Sequence, residues 1–242
     1  MQKIFERKEE KYLLDAQSFD DLWEELGSSL IPDAYGSTKV MNIYYDNSGF
    51  ELLDKSVRKP AYKEKLRIRS YGIPDDDSEV FAEIKKKYNG TVYKRRTSGT
   101  YKQIADLLEN GELMDHDIQI QKEILWMMER YGLHPVAFIG YERTGYTSPT
   151  DEGLRITVDS DIRYRLDELD LRKGDRGTLL REPGFRIMEV KSSSNLPLWF
   201  ADILTRKRLF SGSFSKIGTC FTEVIFPQMI EKQSRERSAI NA

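Results

Sequence analysis

Apolar and polar residues alternate along several short segments of the chain, which is the pattern of strands that pack on one face only. In the segment Glu64–Tyr71 two buried-type residues, Leu66 and Ile68, alternate with basic residues. The same reading predicts further strands at Lys8–Leu14, Asn42–Asp46, Glu79–Lys87, Thr91–Arg96, Val136–Tyr146, Leu154–Ser160 and Phe185–Lys191. The pair Asn89-Gly90 is the strongest short hairpin signal and predicts a tight turn before Thr91.

Other segments have the helical period, with apolar residues every three or four positions. They predict helices at Ser18–Ser29, Thr100–Asn110, Ile118–Tyr131 and Asn195–Leu209. We expect Ser18 to cap the first of these helices. Strands and helices that are mixed along the chain predict an α+β fold with about eight strands. The polar residues 231–242 predict a disordered tail after a single domain over 1–230.

Charged residues repeat on one face of strand after strand. The face of Glu64–Tyr71 opposite its apolar residues holds Lys65, Arg67 and Arg69, and similar faces follow in at least five other strands. A sheet with one solvated face explains any single strand of this kind. Because the pattern recurs and the helices are needed to cover apolar faces, we predict an antiparallel β-barrel with a charged lumen and helices outside. A barrel of about eight strands has room for one small ligand.

Composition narrows the classes of protein. The chain has 242 residues, with 38 basic and 40 acidic side chains and a net charge of −2, which disfavours a general nucleic-acid binder. One cysteine, Cys220, excludes an internal disulfide and a cysteine zinc cluster. No apolar run is long enough to cross a membrane, and the charged first residues lack a signal-peptide core. We therefore expect a cytoplasmic protein without direct membrane insertion.

Arginine and lysine on a barrel lining call for a polyanion, because buried like charges are costly unless they are neutralised. Guanidinium groups bind phosphate oxygens through paired hydrogen bonds, and ammonium groups act as point charges. The carboxylates in the same faces suit Mg²⁺ or Mn²⁺, which bridges to phosphate oxygens. The residues alone thus predict a metal-dependent barrel that handles phosphates. For Glu9 and Glu83, pairing with neighbouring cations is favoured over metal ligation.

The segments also resemble a known family. From about Phe5 to Cys220 they are similar, in order and spacing, to the VTC (vacuolar transporter chaperone) domain of polyphosphate polymerases, a branch of the triphosphate tunnel metalloenzymes. The motifs are RKEEKY at Arg7–Tyr12, IYYDN at Ile43–Asn47, KLRIRSYG at Lys65–Gly72, EIKKKYNGTVYKRR at Glu83–Arg96, YERTGY at Tyr141–Tyr146, LRITVD at Leu154–Asp159 and MEVK at Met188–Lys191.

The resemblance implies roles for the matching residues. The catalytic set would be Lys11, Arg67, Arg69, Lys85, Arg143, Arg155 and Glu189, with Glu189 also holding Mn²⁺ or Mg²⁺. Substrate phosphates would in addition contact Lys94, Arg96, Lys191 and Lys216. The late Lys-Phe-Ser-Lys motif of the family reads Ser213 to Lys216 here, so Ser213 replaces its first lysine.

The resemblance implies a polyphosphate polymerase that moves the γ-phosphate of ATP onto a growing inorganic polyphosphate chain inside a basic tunnel. The lack of a well-placed histidine agrees, since a terminal phosphate acceptor is already ionised. Three alternatives stay open: a tunnel triphosphatase that hydrolyses inorganic or nucleotide triphosphate, a polyphosphate-binding module without activity, and a nucleic-acid binder. The resemblance implies a stand-alone catalytic domain that works with ATP and polyphosphate, and leaves open a separate membrane partner.

Overall fold

The computed structural model describes residues 8–193 and 195–240. Its strands are β1 (Lys8–Leu14), β2 (Ile31–Asp46), β3 (Tyr62–Tyr71), β4 (Glu79–Tyr88), β5 (Thr91–Thr100), β6 (His134–Thr147), β7 (Arg155–Arg165), β8 (Thr178–Leu179) and β9 (Arg186–Ser192). Its helices are α1 (Ala16–Leu26), α2 (Glu51–Arg58), α3 (Tyr101–Asn110), α4 (Ile118–Tyr131), α5 (Leu198–Arg206), α6 (Lys216–Cys220) and α7 (Phe226–Ile240). The α+β composition predicted from the sequence is confirmed.

The strands form one sheet in the order β1-β9-β7-β6-β2-β3-β4-β5, with β8 added beside β7. The registers of β1 with β9, β9 with β7, β3 with β4 and β4 with β5 are all antiparallel. The order ends at β1 and β5, and within the described residues no pairing joins these two strands. The antiparallel sheet is thus present, whereas its closure into a barrel and a charged lumen are not shown.

The chain divides into two compact units. Unit 1 contains residues 1–40, 141–162 and 181–214, and unit 2 contains residues 41–140, 163–180 and 215–242. Each unit has its own apolar core. In unit 1, Leu22 of α1 and Phe200 of α5 pack with the apolar face of β7 and β9. In unit 2, Leu107 of α3 and Ile124 of α4 pack with the apolar face of β3 and β4. Helices therefore cover apolar strand faces, as expected.

Turn and cap residues explain several element boundaries. Asn89 and Gly90 both have positive φ angles, 44° and 89°, which produce the predicted tight turn between β4 and β5. The predicted cap of α1 was wrong by three residues. The side chain of Asp15, not Ser18, caps the helix by accepting a hydrogen bond from the Ser18 backbone N–H at 2.7 Å. Asp15 holds the extended backbone conformation that an N-cap requires.

Several elements of unit 2 differ from the sequence prediction, among them α2 and α7, while the short elements β8 and α6 were not predicted either. Helix α2 was not predicted. Its first backbone N–H groups bond to a residue that lies well before the helix in the sequence: the buried carboxylate of Asp46 accepts from Leu52 at 3.1 Å and from Leu53 at 2.8 Å. Residues 231–240, predicted as a disordered tail, belong to α7, in which Arg235 forms an exposed i,i+4 ion pair with Glu231. A π-helical turn, Phe221–Ile225, connects α6 to α7.

Some predicted features lie outside the described residues. These are residues 1–7, which include Phe5 and Arg7 of the first motif, and the last two residues of the predicted tail, 241–242. Within the described part of the chain, no helix combines the length and the apolar character that crossing a bilayer requires.

Candidate functional site

Unit 2 carries a basic face on strands β3, β4 and β5. The strand registers align four rungs of side chains on this face, a rung being the residues that lie side by side across the strands. The rungs contain Lys63, Lys87 and Val92; Lys65, Lys85 and Lys94; Arg67, Glu83 and Arg96; and Arg69, Phe81 and Ser98. Four cations come from β3, two from β4 and two from β5, so eight cations accompany one carboxylate. The predicted sharing of one face is confirmed.

Glu83 lies at the centre of this face and is almost fully buried, at 1% exposure. Its Oε2 accepts from Arg67, at 2.8 Å from Nε and 2.6 Å from Nη2, and its Oε1 lies 2.6 Å from Lys94 Nζ. Arg69 Nε lies 3.8 Å from Oε2. Burial alone would raise the pKa of Glu83, but Arg67, Arg69 and Lys94 outweigh it and lower the pKa to about 2. Glu83 is therefore an ionised anchor for these cations, in agreement with the favoured pairing.

Strand β2 supplies two residues that hold the guanidinium groups and that sequence reasoning missed. The fully buried Asn42 accepts from Arg69 Nε at 2.9 Å and donates to the carbonyl of Ile139 at 3.0 Å. Tyr44 Oη accepts from Arg67 Nη1 at 3.1 Å. Burial opposes ionisation of Tyr44, but the cations Arg67, Lys65 and Arg69 outweigh it and lower its pKa to about 8. The motif IYYDN contains Tyr44, although its spacing alone does not show the contact.

The remaining predicted residues of unit 2 differ in their surroundings. Lys65 Nζ donates to Ser215 Oγ at 3.2 Å, and burial lowers the pKa of Lys65 to about 8. Ser215 also caps α6 by accepting from the Gly218 N–H at 3.1 Å, so it connects that helix to the basic face. Lys216 begins α6 beside it. The guanidinium of Arg96 lies 4.7 Å from the centre of the Phe81 ring.

Unit 1 carries a second cluster, around Glu189 on β9. Lys11 on β1 lies directly opposite Glu189, with its Nζ 3.6 Å from Oε2, while Lys191 Nζ lies 2.6 Å from Oε1. Lys11 also contacts Glu9 at 3.2 Å. Burial would raise the pKa of Glu189, but Lys191, Lys11 and Arg143 outweigh it and lower the pKa to about 2. Glu189 is therefore ionised, and lysines rather than arginines hold it.

Two arginines of unit 1 have different partners. Arg143 donates to both carboxylate oxygens of the buried Asp159, at 2.6 and 2.8 Å, and lies over the ring of Tyr141 at 5.3 Å. Its charge contributes to the low pKa of Glu189, so it lies near that carboxylate. Arg155 instead pairs with Asp33 at 3.1 Å and is half-exposed. In unit 1 the structure thus groups Lys11, Lys191, Arg143 and Glu189. Arg155 lies directly opposite Lys191 in the register of β7 with β9, although its guanidinium pairs with Asp33.

The carboxylates differ in how well they suit a divalent cation. Both oxygens of Glu83 contact a cation within 2.8 Å, which leaves it poorly suited to ligation. Glu189 is ionised, 12% exposed, and held by two partly exposed lysines, whose long unbranched stems allow the ammonium groups to turn to a phosphate. Within the described residues no group of three His, Cys, Asp or Glu side chains is placed to share a metal. Glu189 can supply one carboxylate ligand, so a divalent cation here would take its other ligands from substrate phosphates and water, as Mg²⁺ commonly does.

In the hydrogen bonds and ion pairs of the described residues, those that sequence reasoning set aside contact none of the charged side chains of the two clusters. His116 contacts Asp115 and the carbonyl of Ser98 on the surface of unit 2. Cys220 is fully buried, and burial raises its pKa to about 12, so its thiol is protonated and unreactive.

Known proteins resemble this chain in sequence and in fold. The family model described as the VTC domain matches residues 6–224. Vacuolar transporter chaperone complex subunit 4 of Trypanosoma brucei brucei is 21% identical over 286 aligned positions, covering 94% of this chain and 36% of that protein. Subunit 2 of the same complex from Saccharomyces cerevisiae is 25% identical over 173 positions, covering 60% and 20%. The chain spans about a third or less of these relatives.

A solved structure shares the fold. A candidate adenylate cyclase from Bacillus halodurans superposes with a TM-score of 0.53 at 13% identity, covering 86% of this chain and 95% of that one. At this identity the likeness extends to the fold alone, and it agrees with the antiparallel sheet and its helices.

Proposed function

The chain belongs to the VTC domain family, and from that premise we propose that it is a polyphosphate polymerase that transfers the γ-phosphoryl group of ATP onto a growing inorganic polyphosphate chain. One observation carries the proposal: four adjacent rungs of β3, β4 and β5 hold eight cations and a single carboxylate. Such a face is matched by an extended polyanion with many phosphate charges. In this proposal residues 1–230 form one tunnel domain, and the sheet closes so that its charged faces line the tunnel.

Phosphoryl transfer depends on positioning and charge stabilisation more than on covalent help from the protein. In unit 2, Arg67 and Arg69 would bind phosphate oxygens through paired hydrogen bonds. Both guanidinium groups are already oriented, Arg67 by Glu83 and Tyr44, and Arg69 by Asn42. Such fixed donors need little reorganisation when charge develops on the transferred group. Lys85, Lys94 and Arg96 would add charge on the same face.

In unit 1, Lys11, Lys191 and Arg143 would bind further phosphate oxygens, and the ionised Glu189 would hold Mn²⁺ or Mg²⁺ together with the substrate. When bound, the cation would polarise phosphate oxygens and offset their charge. Arg143 reaches this site already fixed in two hydrogen bonds to Asp159. We assign Arg155 and Lys216 to weaker contacts with the substrate, at the margin of the two clusters. The relatives are named as subunits of a complex, and the same proposal includes a protein partner for this chain.

The proposal is tested by incubating the pure protein with ATP and Mn²⁺, then measuring polymer on a polyphosphate-stained gel together with released ADP and free phosphate. We expect polymer and ADP from the wild type. Glu189→Gln keeps the size of the side chain but removes its charge, and we expect transfer to fall about 10²–10³-fold, the range for one lost electrostatic contact in a transition state.

Glu9→Gln is the matched control, since Glu9 also pairs with Lys11 but is more exposed, at 39% against 12% for Glu189. We expect it to retain most activity. Wild-type turnover in a well-folded Glu189→Gln protein would exclude Glu189 from the reaction. Free phosphate without polymer would identify a triphosphatase instead, and polyphosphate binding without any product would identify a binding module.

A further inference from the structure

The basic face of unit 2 includes two lysines, Lys63 and Lys87, to which no individual role has been assigned above. The register of β3 with β4 places Lys63 directly opposite Lys87, one rung beyond Lys65 and Lys85. Like charges that lie opposite each other on neighbouring strands destabilise a sheet. The rung of Lys63 and Lys87 therefore carries a repulsion that a bound anion would relieve.

Within the part of the chain that the structure describes, the outer rung, Lys63 and Lys87, has no carboxylate beside it that plays the part of Glu83 at the centre of the face. Arg67 and Lys94 contact the carboxylate of Glu83, whereas Lys63 Nζ donates to a neutral acceptor, the Ser56 carbonyl, at 3.0 Å. Among the described residues no ion pair with a carboxylate involves Lys63 or Lys87. Burial lowers the pKa of Lys63, and the neighbouring Lys87, Lys59 and Lys85 lower it further.

Lys59 adds to this concentration of charge. It follows α2 with a left-handed backbone conformation, φ 54°, and its backbone N–H bonds to the Lys55 carbonyl, which fixes the backbone where the helix ends. The charges of Lys59 and Lys87 both act on Lys63. Lys63 and Lys87 are therefore neighbours at one end of the basic face, where a single anionic group can contact both, and Lys59, which follows α2, adds a third positive charge that acts on Lys63.

Spacing indicates the kind of anion. Residues two apart in a strand are about 6.8 Å apart, so the outer rung lies about 14 Å along the face from the rung of Arg67 and Glu83. One phosphate group does not span that distance, but a chain of several phosphates does. Ammonium groups also suit a repeating, mobile chain, because they bind as point charges without fixed geometry.

We propose that Lys63 and Lys87, assisted by Lys59, form an outer anion-binding site that holds inorganic polyphosphate several phosphates away from the Arg67 rung and keeps the lengthening product bound. This rests on the proposed function for the identity of the chain, but the site is defined by its affinity for long polyphosphate and is measured without turnover.

The test compares the double variant Lys63→Gln/Lys87→Gln with wild type by calorimetry, without ATP or metal. Glutamine retains a donor for the Ser56 carbonyl. The matched control is Lys102→Gln/Lys122→Gln, which removes two exposed lysines from α3 and α4 of the same unit. The probes are long-chain inorganic polyphosphate and inorganic triphosphate, so that the outer rung is separated from the centre of the face.

We expect affinity for the long chain to fall roughly tenfold or more in the double variant, the size of one lost charged contact, while affinity for triphosphate and both affinities of the control are unchanged. Equal losses for both probes, or equal losses in variant and control, would overturn the proposal. Wild-type protein that binds long chains no more tightly than triphosphate would overturn it as well, whatever its activity. If polymer is made, the double variant should release shorter products than the wild type.

Discussion

The two charged clusters each surround one carboxylate, but they hold it differently. Glu83 in unit 2 is 1% exposed and bound by Arg67 and Lys94, with Arg69 close by. Glu189 in unit 1 is 12% exposed and bound by two lysines. Guanidinium groups fix geometry, whereas ammonium groups on flexible stems exchange partners readily. We infer that the two carboxylates have different roles: Glu83 fixes the positions of the cations around it, and Glu189 can exchange its lysine partners for a ligand.

The largest difference between the clusters should appear in the free energy of unfolding when each carboxylate is replaced by glutamine. Glu83→Gln leaves three nearby cations without their carboxylate, and breaking a buried pair from one side costs about 3–5 kcal/mol. Glu189→Gln should cost less than half of that, because Lys11 and Lys191 keep access to water, at 26% and 31% exposure. Urea unfolding of the two variants gives the free energies of unfolding. Equal losses would mean that the clusters do not differ in this way.

Acid should sharpen the same comparison. The pKa of Glu83 is about 2 in the folded protein and about 4.5 in an ordinary glutamate, so its contribution is present above about pH 4.5 and lost as pH falls towards 2. Protonated Glu83 resembles glutamine. The stability difference between wild type and Glu83→Gln should therefore narrow over this window, as measured by urea unfolding at a series of pH values. A constant difference down to pH 2 would contradict the low pKa.

The smallest effect concerns Tyr44, which belongs to the Glu83 cluster. One tyrosine should ionise with a midpoint near pH 8, seen in the ultraviolet absorbance of tyrosinate, and Tyr44→Phe should remove that phase. Inorganic triphosphate should raise the midpoint, because it neutralises the cations that favour the phenolate. A phase near pH 8 that persists in Tyr44→Phe would assign it to another residue.

Local patterns in the sequence predicted much of this architecture. Alternation along β3 placed Leu66 and Ile68, 0% and 6% exposed, opposite the basic residues, and Asn89-Gly90 marked the hairpin. Helix α2 was missed because Asp46 provides its cap from before the intervening turn, which leaves no local signal at Phe50. The first part of β2 was missed as well.

The site was predicted only as far as single strands reveal it. Lys65, Arg67 and Arg69 follow from alternation, since one strand is enough to place them on a common face. Their partners cannot be predicted in this way, because Asn42 is 27 residues away from Arg69 in the sequence and Ser215 is 150 residues away from Lys65. Contacts of this kind depend on how the strands and the last helices meet, and no periodicity in the chain encodes that.

The excess of positive charge on β3, β4 and β5 has a consequence for the stability of the protein and for its abundance in a cell. A polyanion that binds this face relieves the repulsion between its cations and so raises the free energy of unfolding. Any ligand that binds only the folded state also shifts the folding equilibrium by mass action. Marginal stability, in turn, governs how much of a protein escapes degradation. Under the proposed function, the amount of this protein in a cell should therefore rise with the supply of phosphate polymer, because bound polymer stabilises the folded state.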